Sequence, residues 1–493
     1  MNLRANLIKN AAANMARGGT GALVALFVPP FLTRSLSPDK FSAWALAMQL
    51  GAYVNYLDFS LQTAVARYVA RINETGNTSQ QNEFLSSALF LMTLAGVLAV
   101  TALCGLAVLL PKLYANIAPS IAGELQSTML IIGLSLSIGL PASVFTGVLV
   151  GLHKNEVPAF AIGGCRIGSA VTLVLLSRYT NSLIALAASY SAWNLLSYTI
   201  QYGACRSLIC DVRLGWRLIK KTLIWDLGKY CLTLSTWSVG MLLVSGLDLV
   251  LVGYINFTEV GPYSVANTLV TFVAGLNSAI CASLIAPTAV LQARNENRRL
   301  GKLVMRATRL TFMTTFLVGL PLVLGGHFIL QRWVGNSYAQ GGYQVLRILV
   351  LAQVIRLIGN PYSVAILGTG QQRLVVVSPL VEGITNLSAS LALGLVLGAV
   401  GVAWGTLIGS TIGLAWNTLY NIPRTQEIRM TAVEYTSQSI LRPAVCLLPL
   451  CLGLIPWCTG NQMEPFFKST CGVAGIVVSV LTCMRLGTVK HSI

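Results

Sequence analysis

The chain has 493 residues, of which 55% are hydrophobic and only 10% charged, with a mean hydropathy of +0.71; a soluble domain carries roughly 25% charged residues. That composition excludes a soluble enzyme or soluble binding domain and defines a membrane protein. The net charge of +18 invites nucleic acid as a partner, but about 24 of the Lys and Arg residues fall on one predicted side of the membrane and roughly six on the other, which is the positive-inside pattern and not a nucleic-acid surface.

Apolar runs of about 20 residues, each able to cross a hydrocarbon core about 30 Å thick as a helix, predict spans near 11–33, 42–62, 84–110, 125–150, 157–177, 181–203, 230–253, 263–290, 308–330, 345–367, 374–397, 400–420, 438–457 and 470–484. The fold class read from them is an all-α polytopic membrane protein of about fourteen helices. The first run is too long for a signal-peptide core and no small-residue cleavage site ends it, so it is expected to be retained. An even number of spans puts both termini in the cytoplasm, with the heavy basic clusters Arg206 to Lys229 and Arg294 to Arg309 inside and Lys40, Lys112 and Lys468 outside.

After the sixth span comes the longest polar connection, CRSLICDVRLGWRLIKKTLIWDLGKY. Projected as a helix, it gathers Val212, Trp216, Ile219 and Leu223 on one face and Arg206, Arg213, Arg217 and Lys220 on another, predicting an amphipathic helix on the inner membrane surface. Its basic face meets anionic lipid headgroups there, or merely obeys charge topology.

Sliding the second half over the first at an offset of about 219 residues lays NFTEVGPYSVANTL (256–269) over SPDKFSAWALAMQL (37–50), and NPYSVAILGTGQQR (360–373) faces LPASVFTGVLVGLHK (140–154). The hydropathy independently gives six spans, a basic connector and six more. The domain organisation expected is therefore a six-helix half over 1–205, the connector over 206–229, a second six-helix half over 230–421, and two additional helices with a short tail over 422–493. Two similarly oriented halves imply a pseudo-two-fold axis along the membrane normal, the arrangement of alternating-access carriers.

The stretch PPFLTRSLSPDKFSAWALAMQLGAYVNYLDFSLQTAVARYVA, together with GLDLVLVGYINFTEVGPYSVANTL, LIAPTAVLQARNE and ILQRWVGNSYAQ, resembles the polysaccharide-transport family, the O-antigen flippase (Wzx-like) group of the multidrug, oligosaccharidyl-lipid and polysaccharide exporter superfamily. In span count and loop placement the resemblance covers essentially the whole chain. It implies a bacterial inner-membrane protein that moves an undecaprenyl-diphosphate-linked oligosaccharide between leaflets. The polysaccharide polymerase and chain-length machinery are implied partners, and a H+ or Na+ gradient is the implied driving force. The alternatives from this sequence are a multidrug cation antiporter of the same superfamily, a peptidoglycan-precursor flippase, and a non-transporting scaffold or polymerase.

Asp248, set among leucines and valines, is the first candidate for function, since a charge at the bilayer centre costs about 3 kcal/mol or more. Under the offset it falls on Pro29, so both halves are expected to interrupt their first helix at the same depth and to face a cavity between them. Asp248 is read either as the site of a coupling cation or proton or as a structural acid; Asp58 and Glu382 are the other intramembrane acids. A diphosphate calls for arginine, whose planar fork donates bidentately. The candidates are Arg166 and Arg356, then Arg34 and Arg347, each alternatively snorkelling to an interface or pairing with an acid. Arg67 and Arg71 share a helical face and serve gating, headgroup docking or plain anchoring. Tyr53, Asn55, Tyr56, Asn267, Asn277, Gln353 and Asn360 are polar groups at membrane depth suited to a glycan path.

No Walker loop, HExxH or nucleophile elbow is present, and the three histidines, His153, His327 and His491, lack metal-ligand spacing. The eleven cysteines, such as Cys104, Cys281, Cys446 and Cys451, suit neither a disulfide framework nor zinc. No enzyme activity, cofactor or metal is therefore expected.

Overall fold

The computed structural model describes residues 20–58, 61–75, 78–114, 117–208, 214–369 and 372–458, with positions 474–475, 478–479 and 482. Every regular element among them is helical. Seven of these helices are long and apolar enough to cross a membrane, and a bent pair makes eight. The fourteen spans expected are thus not reached one by one: several crossings are broken into shorter pieces, and those expected at 11–33 and 470–484 lie partly or mostly outside the described residues.

Two of the breaks have identifiable causes. A helix over residues 20–27 bends at Val28 before α1 (Pro29–Ser35) begins on a proline pair, because Pro30 has no N–H to give the carbonyl of Leu26. That carbonyl accepts instead from the Trp333 indole at 2.9 Å. α2 (Pro38–Ala52) starts on Ser37, whose side chain accepts from the Lys40 N–H, with proline in its first turn. It runs into a 3-10 segment, Tyr53–Asp58, and α3 (Leu61–Thr75) follows, so the span expected at 42–62 is three pieces. α4 (Thr78–Leu113), α5 (Pro119–Gly151), α6 (Glu156–Leu176) and α7 (Leu183–Leu208) complete the first half.

The connector is not the amphipathic helix expected. Gly215 is extended, Trp216–Leu218 is one 3-10 turn, and Lys220 is extended; residues 209–213, Val212 and Arg213 among them, lie outside the described set. The reason is tertiary. Ser86 and Ser87, near the start of α4, accept from the N–H groups of Gly215 and Lys220, and the Lys220 ammonium pairs with Glu83 at 2.7 Å. These partners hold the chain extended where a helix would have used its own carbonyls.

α8 (Lys221–Met241) passes through a π-turn, Leu242–Gly246, bends by 40°, and continues as α9 (Asp248–Ile255). The bend at Leu247 lies 219 positions after that at Val28. α10 (Val260–Ala282), α11 (Ile285–Ala293), α12 (Asn297–Val334) and α13 (Asn336–Gly368) follow. α14 (Gln372–Trp416) is two spans joined at Gly398, whose φ of 63° only glycine adopts readily. Glu259 caps the second span there by accepting from the Ala399 N–H at 2.6 Å.

Past Gly398 the glycines recur every fourth residue, at 401, 405, 409 and 413, making one smooth face. A Cβ at Gly405 would collide with Ser390, one at Gly409 would sit 2.8 Å from Asn386 Cβ, and one at Gly413 2.8 Å from Glu382 Oε2. The two spans of α14 are therefore pressed together along a polar ridge, Glu382, Asn386 and Ser390. Beyond α15 (Ile422–Arg424), α16 (Ala432–Thr436) and a π-turn, Ser437–Leu441, lead into α17 (Arg442–Cys458), and this lead-in is tied back to α12 and α13. Arg309 Nε donates to Gln438 O, Ser439 Oγ to Met305 O, and Tyr435 OH to Ile358 O.

Candidate functional site

Among the described residues a cavity of about 840 Å³ is walled mainly by the first helix with α1 and by α2, α5, α6 and α7, with Leu249 of α9 and Ser264, Asn267 and Thr268 of α10 on the far side. It is shut at the Lys40 end. There the Ser42 hydroxyl accepts from the Gly261 N–H at 3.0 Å, Phe41 and Tyr338 meet edge to face, and Tyr114 OH donates to Val250 O. Ser42 and Gly261 are 219 residues apart; so are Tyr114 and Trp333, and each of that aromatic pair donates to a carbonyl beside the helix break of the opposite half.

The sequence candidates divide. Arg166 lines the cavity, exposed, and reaches the helix over residues 20–27: a Cβ on Gly21 would come within 2.9 Å of its Nη1. Asp58 lines it too, its Oδ1 accepting from Ser143 Oγ at 2.9 Å, as do Asn55 and Asn267. Arg356 does not. Its Nε donates to Glu382 Oε1 at 2.6 Å, with the side chains 19% and 13% exposed, and its other nitrogens reach Gln353 Oε1 and Val244 O. Gln353 is thereby engaged away from the cavity. Arg34 ends α1 exposed, Arg347 lies over the Tyr343 ring, and Arg67 and Arg71 are exposed on α3. Asn277 is 2% exposed and accepts from Thr311, while Asn360 donates to Cys281; neither lines the cavity.

Polar groups not anticipated from the sequence complete the wall: Tyr190, Asn194, Ser197, Tyr198 and Gln201 from α7, and Gln62 and Thr146 opposite. The α7 positions fall at helical spacing along YSAWNLLSYTIQ, a stripe that was the available signal. Among the described residues the Asn194 amide nitrogen and the 6% exposed Ser169 hydroxyl in this wall have no hydrogen-bond partner, so a bound hydroxyl or phosphoryl oxygen finds donors in place. Among the described lining residues Arg166 is the cation and Asp58 the anion.

Asp248 is 7% exposed and, contrary to expectation, not part of this wall; its neighbour Leu249 is. The π-turn rotates the chain so that Asp248 points to the glycine-backed ridge of α14. Asn386 Nδ2 donates to its Oδ1 at 3.1 Å and Thr406 Oγ1 to its Oδ2 at 3.2 Å. Ser390 Oγ lies against Asn386 and the Val402 carbonyl. At the first residue of α9, the carboxylate also meets the positive end of that helix. Two carbonyls of the π-turn take side-chain donors: Val244 O accepts from Asn386 (2.8 Å) and Arg356 (3.4 Å), and Gly246 O from Tyr53 OH (2.5 Å) and Gln49 (3.0 Å). Tyr53 therefore bridges the halves, while Tyr56 faces a small apolar pocket.

Broken helices around a cavity closed at one end are a fold that known transporter structures share. The structure titled "Lipid II flippase MurJ, inward closed conformation" superposes with a TM-score of 0.73, over 97% of this chain and 99% of that one at 14% identity. An inward-facing multidrug resistance MATE family transporter of the superfamily gives 0.59, over 84% and 94%, also at 14%. A superfamily transporter from Pyrococcus furiosus, described by a reversed polarity of its binding pocket, gives 0.57 at 14% over 86% and 96%. No curated protein matches the chain. The sequence profile of the polysaccharide biosynthesis protein family matches residues 7–290, and the chain belongs to that family: it is a multi-pass membrane protein with the fold of those transporters.

Proposed function

We propose that this protein flips an undecaprenyl-diphosphate-linked oligosaccharide from the cytoplasmic to the periplasmic leaflet of a bacterial inner membrane, with both termini cytoplasmic. The observation that carries this reading is the 840 Å³ cavity, closed at the Lys40 end, with Arg166 in a wall of neutral hydrogen-bonding side chains. Arg166 is suited to a phosphoryl oxygen; Asn55, Asn194, Tyr198, Gln201 and Asn267 are suited to sugar hydroxyls. The polyprenyl chain stays in the bilayer. Closure at the Lys40 end corresponds to the inward-facing step of alternating access, and anionic lipids meet the basic cytoplasmic side.

Asp248 is the proposed coupling site. Its carboxylate, the Thr406 and Ser390 hydroxyls, the Asn386 amide and the Val402 carbonyl supply the oxygen-rich setting that a proton or Na+ requires. Asp248→Asn is expected to abolish gradient-driven transport, and unchanged transport contradicts the role. A second reading, a cation-exporting carrier, is favoured by one observation, the Asp58 carboxylate in the wall.

The experiment that separates them is deletion of the gene in its host, followed by mass spectrometry of lipid-linked saccharides alongside susceptibility to cationic drugs. Accumulation of complete undecaprenyl-diphosphate oligosaccharide with loss of surface polysaccharide supports the flippase. An unchanged lipid-linked pool with heightened drug sensitivity supports the carrier.

A further inference from the structure

The Asp248 site and the cavity share no residue, yet hydrogen bonds on either side of the π-turn, with the backbone of that turn between them, join the two. The Asn386 amide nitrogen divides between Asp248 Oδ1 and Val244 O. Val244 belongs to the π-turn, which ends at Gly246. Gly246 O accepts from Gln49 and Tyr53 of the other half. Gln49 lines the cavity, and Tyr53 opens the 3-10 segment that carries Asn55 and Asp58 into it.

We propose that Gln49 and Tyr53 are positioning residues that transmit the state of Asp248 to the cavity wall. The inference rests on the coupling role just given to Asp248. A change of charge at Asp248 alters how firmly Asn386 is held there, and therefore how it holds Val244 O. A π-turn is a local insertion that an α-helix absorbs by shifting its bonds by one residue, so it is an element with two discrete arrangements, as coupling demands. When the turn shifts, Gly246 O moves. Its two donors, four residues apart across the end of α2 and the start of the 3-10 segment, carry the movement into the segment bearing Asn55 and Asp58. Coupling is reciprocal, so a ligand that engages Gln49 or the 3-10 segment biases Asp248 in return.

Asp248→Asn removes the charge whatever the coupling ion is, which makes it the probe. Hydrogen exchange, read by mass spectrometry on the full chain in lipid nanodiscs, is compared for the wild type and Asp248→Asn, and again in a Gln49→Leu/Tyr53→Phe background. In the wild-type background Asp248→Asn is expected to change exchange in both 242–255 and 49–58, by about five-fold or more. In the altered background the change in 242–255 is retained and that in 49–58 is lost. A change in 49–58 that persists undiminished, or one that Asp248→Asn never produces, overturns the proposal. Tyr53→Phe alone, which deletes one oxygen, serves if the double variant does not fold, and is expected to lessen the transmitted change. Unchanged transport by Asp248→Asn, with the exchange pattern as expected, removes the coupling reading but leaves the mechanical link standing.

Discussion

At the scale of residues, the division of labour between two arginines is decided by what stands opposite each. Arg356 is held by Glu382 in a pair mostly withdrawn from solvent, with Val244 O as a further acceptor. Removing one member of such a pair strands the other charge, at about 3–5 kcal/mol. Arg356→Ala is therefore expected to lower the thermal unfolding temperature in detergent markedly, and Arg356→Met combined with Glu382→Leu to restore most of the loss. Arg166 is exposed to the cavity, so Arg166→Ala is expected to abolish transport while lowering the unfolding temperature far less than Arg356→Ala does. Arg166→Lys is expected to retain part of the activity, since lysine keeps the charge but not the planar fork. The two arginines were indistinguishable in the sequence because Glu382, which separates them, lies 26 residues from Arg356 and reaches it only through the fold.

At the scale of elements, the glycine face of α14 places the Asp248 partners. Gly405→Ala inserts a methyl group where Ser390 already stands and is expected to destabilise by about 1–3 kcal/mol, as overpacking does, and to move Thr406 and Asn386 away from Asp248. Unfolding temperature and transport measured together check both effects. Glu259→Ala removes the cap on Ala399, with an expected loss of about 0.5–2 kcal/mol in the same unfolding measurement. The helix breaks were legible in the sequence, one from Pro29-Pro30 and the other from a lone carboxylate at the equivalent position, because prolines and buried charges disturb helices locally. The connector was not: its helical periodicity is real, but Ser86 and Ser87 lie about 130 residues away and capture its N–H groups. The polar stripe on α7 escaped notice because each of its residues is ordinary alone and gains meaning only when the other cavity walls face it.

At the scale of the whole molecule, each half's broken first helix offers a carbonyl to a donor on the other half: Leu26 O to Trp333, Gly246 O to Gln49 and Tyr53, and Val250 O to Tyr114. Positions related by 219 residues that touch one another, as Ser42 and Gly261 do, lie where a pseudo-two-fold axis would pass, and we propose that the halves rock about it. Cysteines replacing Ser42 and Gly261 are then expected to cross-link under mild oxidation, to lock the Lys40 end and stop transport, and to release it on reduction. An oxidised variant that still transports contradicts a gate at this contact.

The most direct measurement is translocation by the purified protein in vesicles loaded with undecaprenyl-diphosphate-linked oligosaccharide from the host, scored by the fraction of glycan that becomes accessible to an enzyme outside. The account predicts gradient-dependent exposure of the glycan by wild type, abolished in Arg166→Ala and in Asp248→Asn. Glycan that stays protected with wild-type protein and an imposed gradient, in vesicles from which the same preparation moves organic cations, would contradict it.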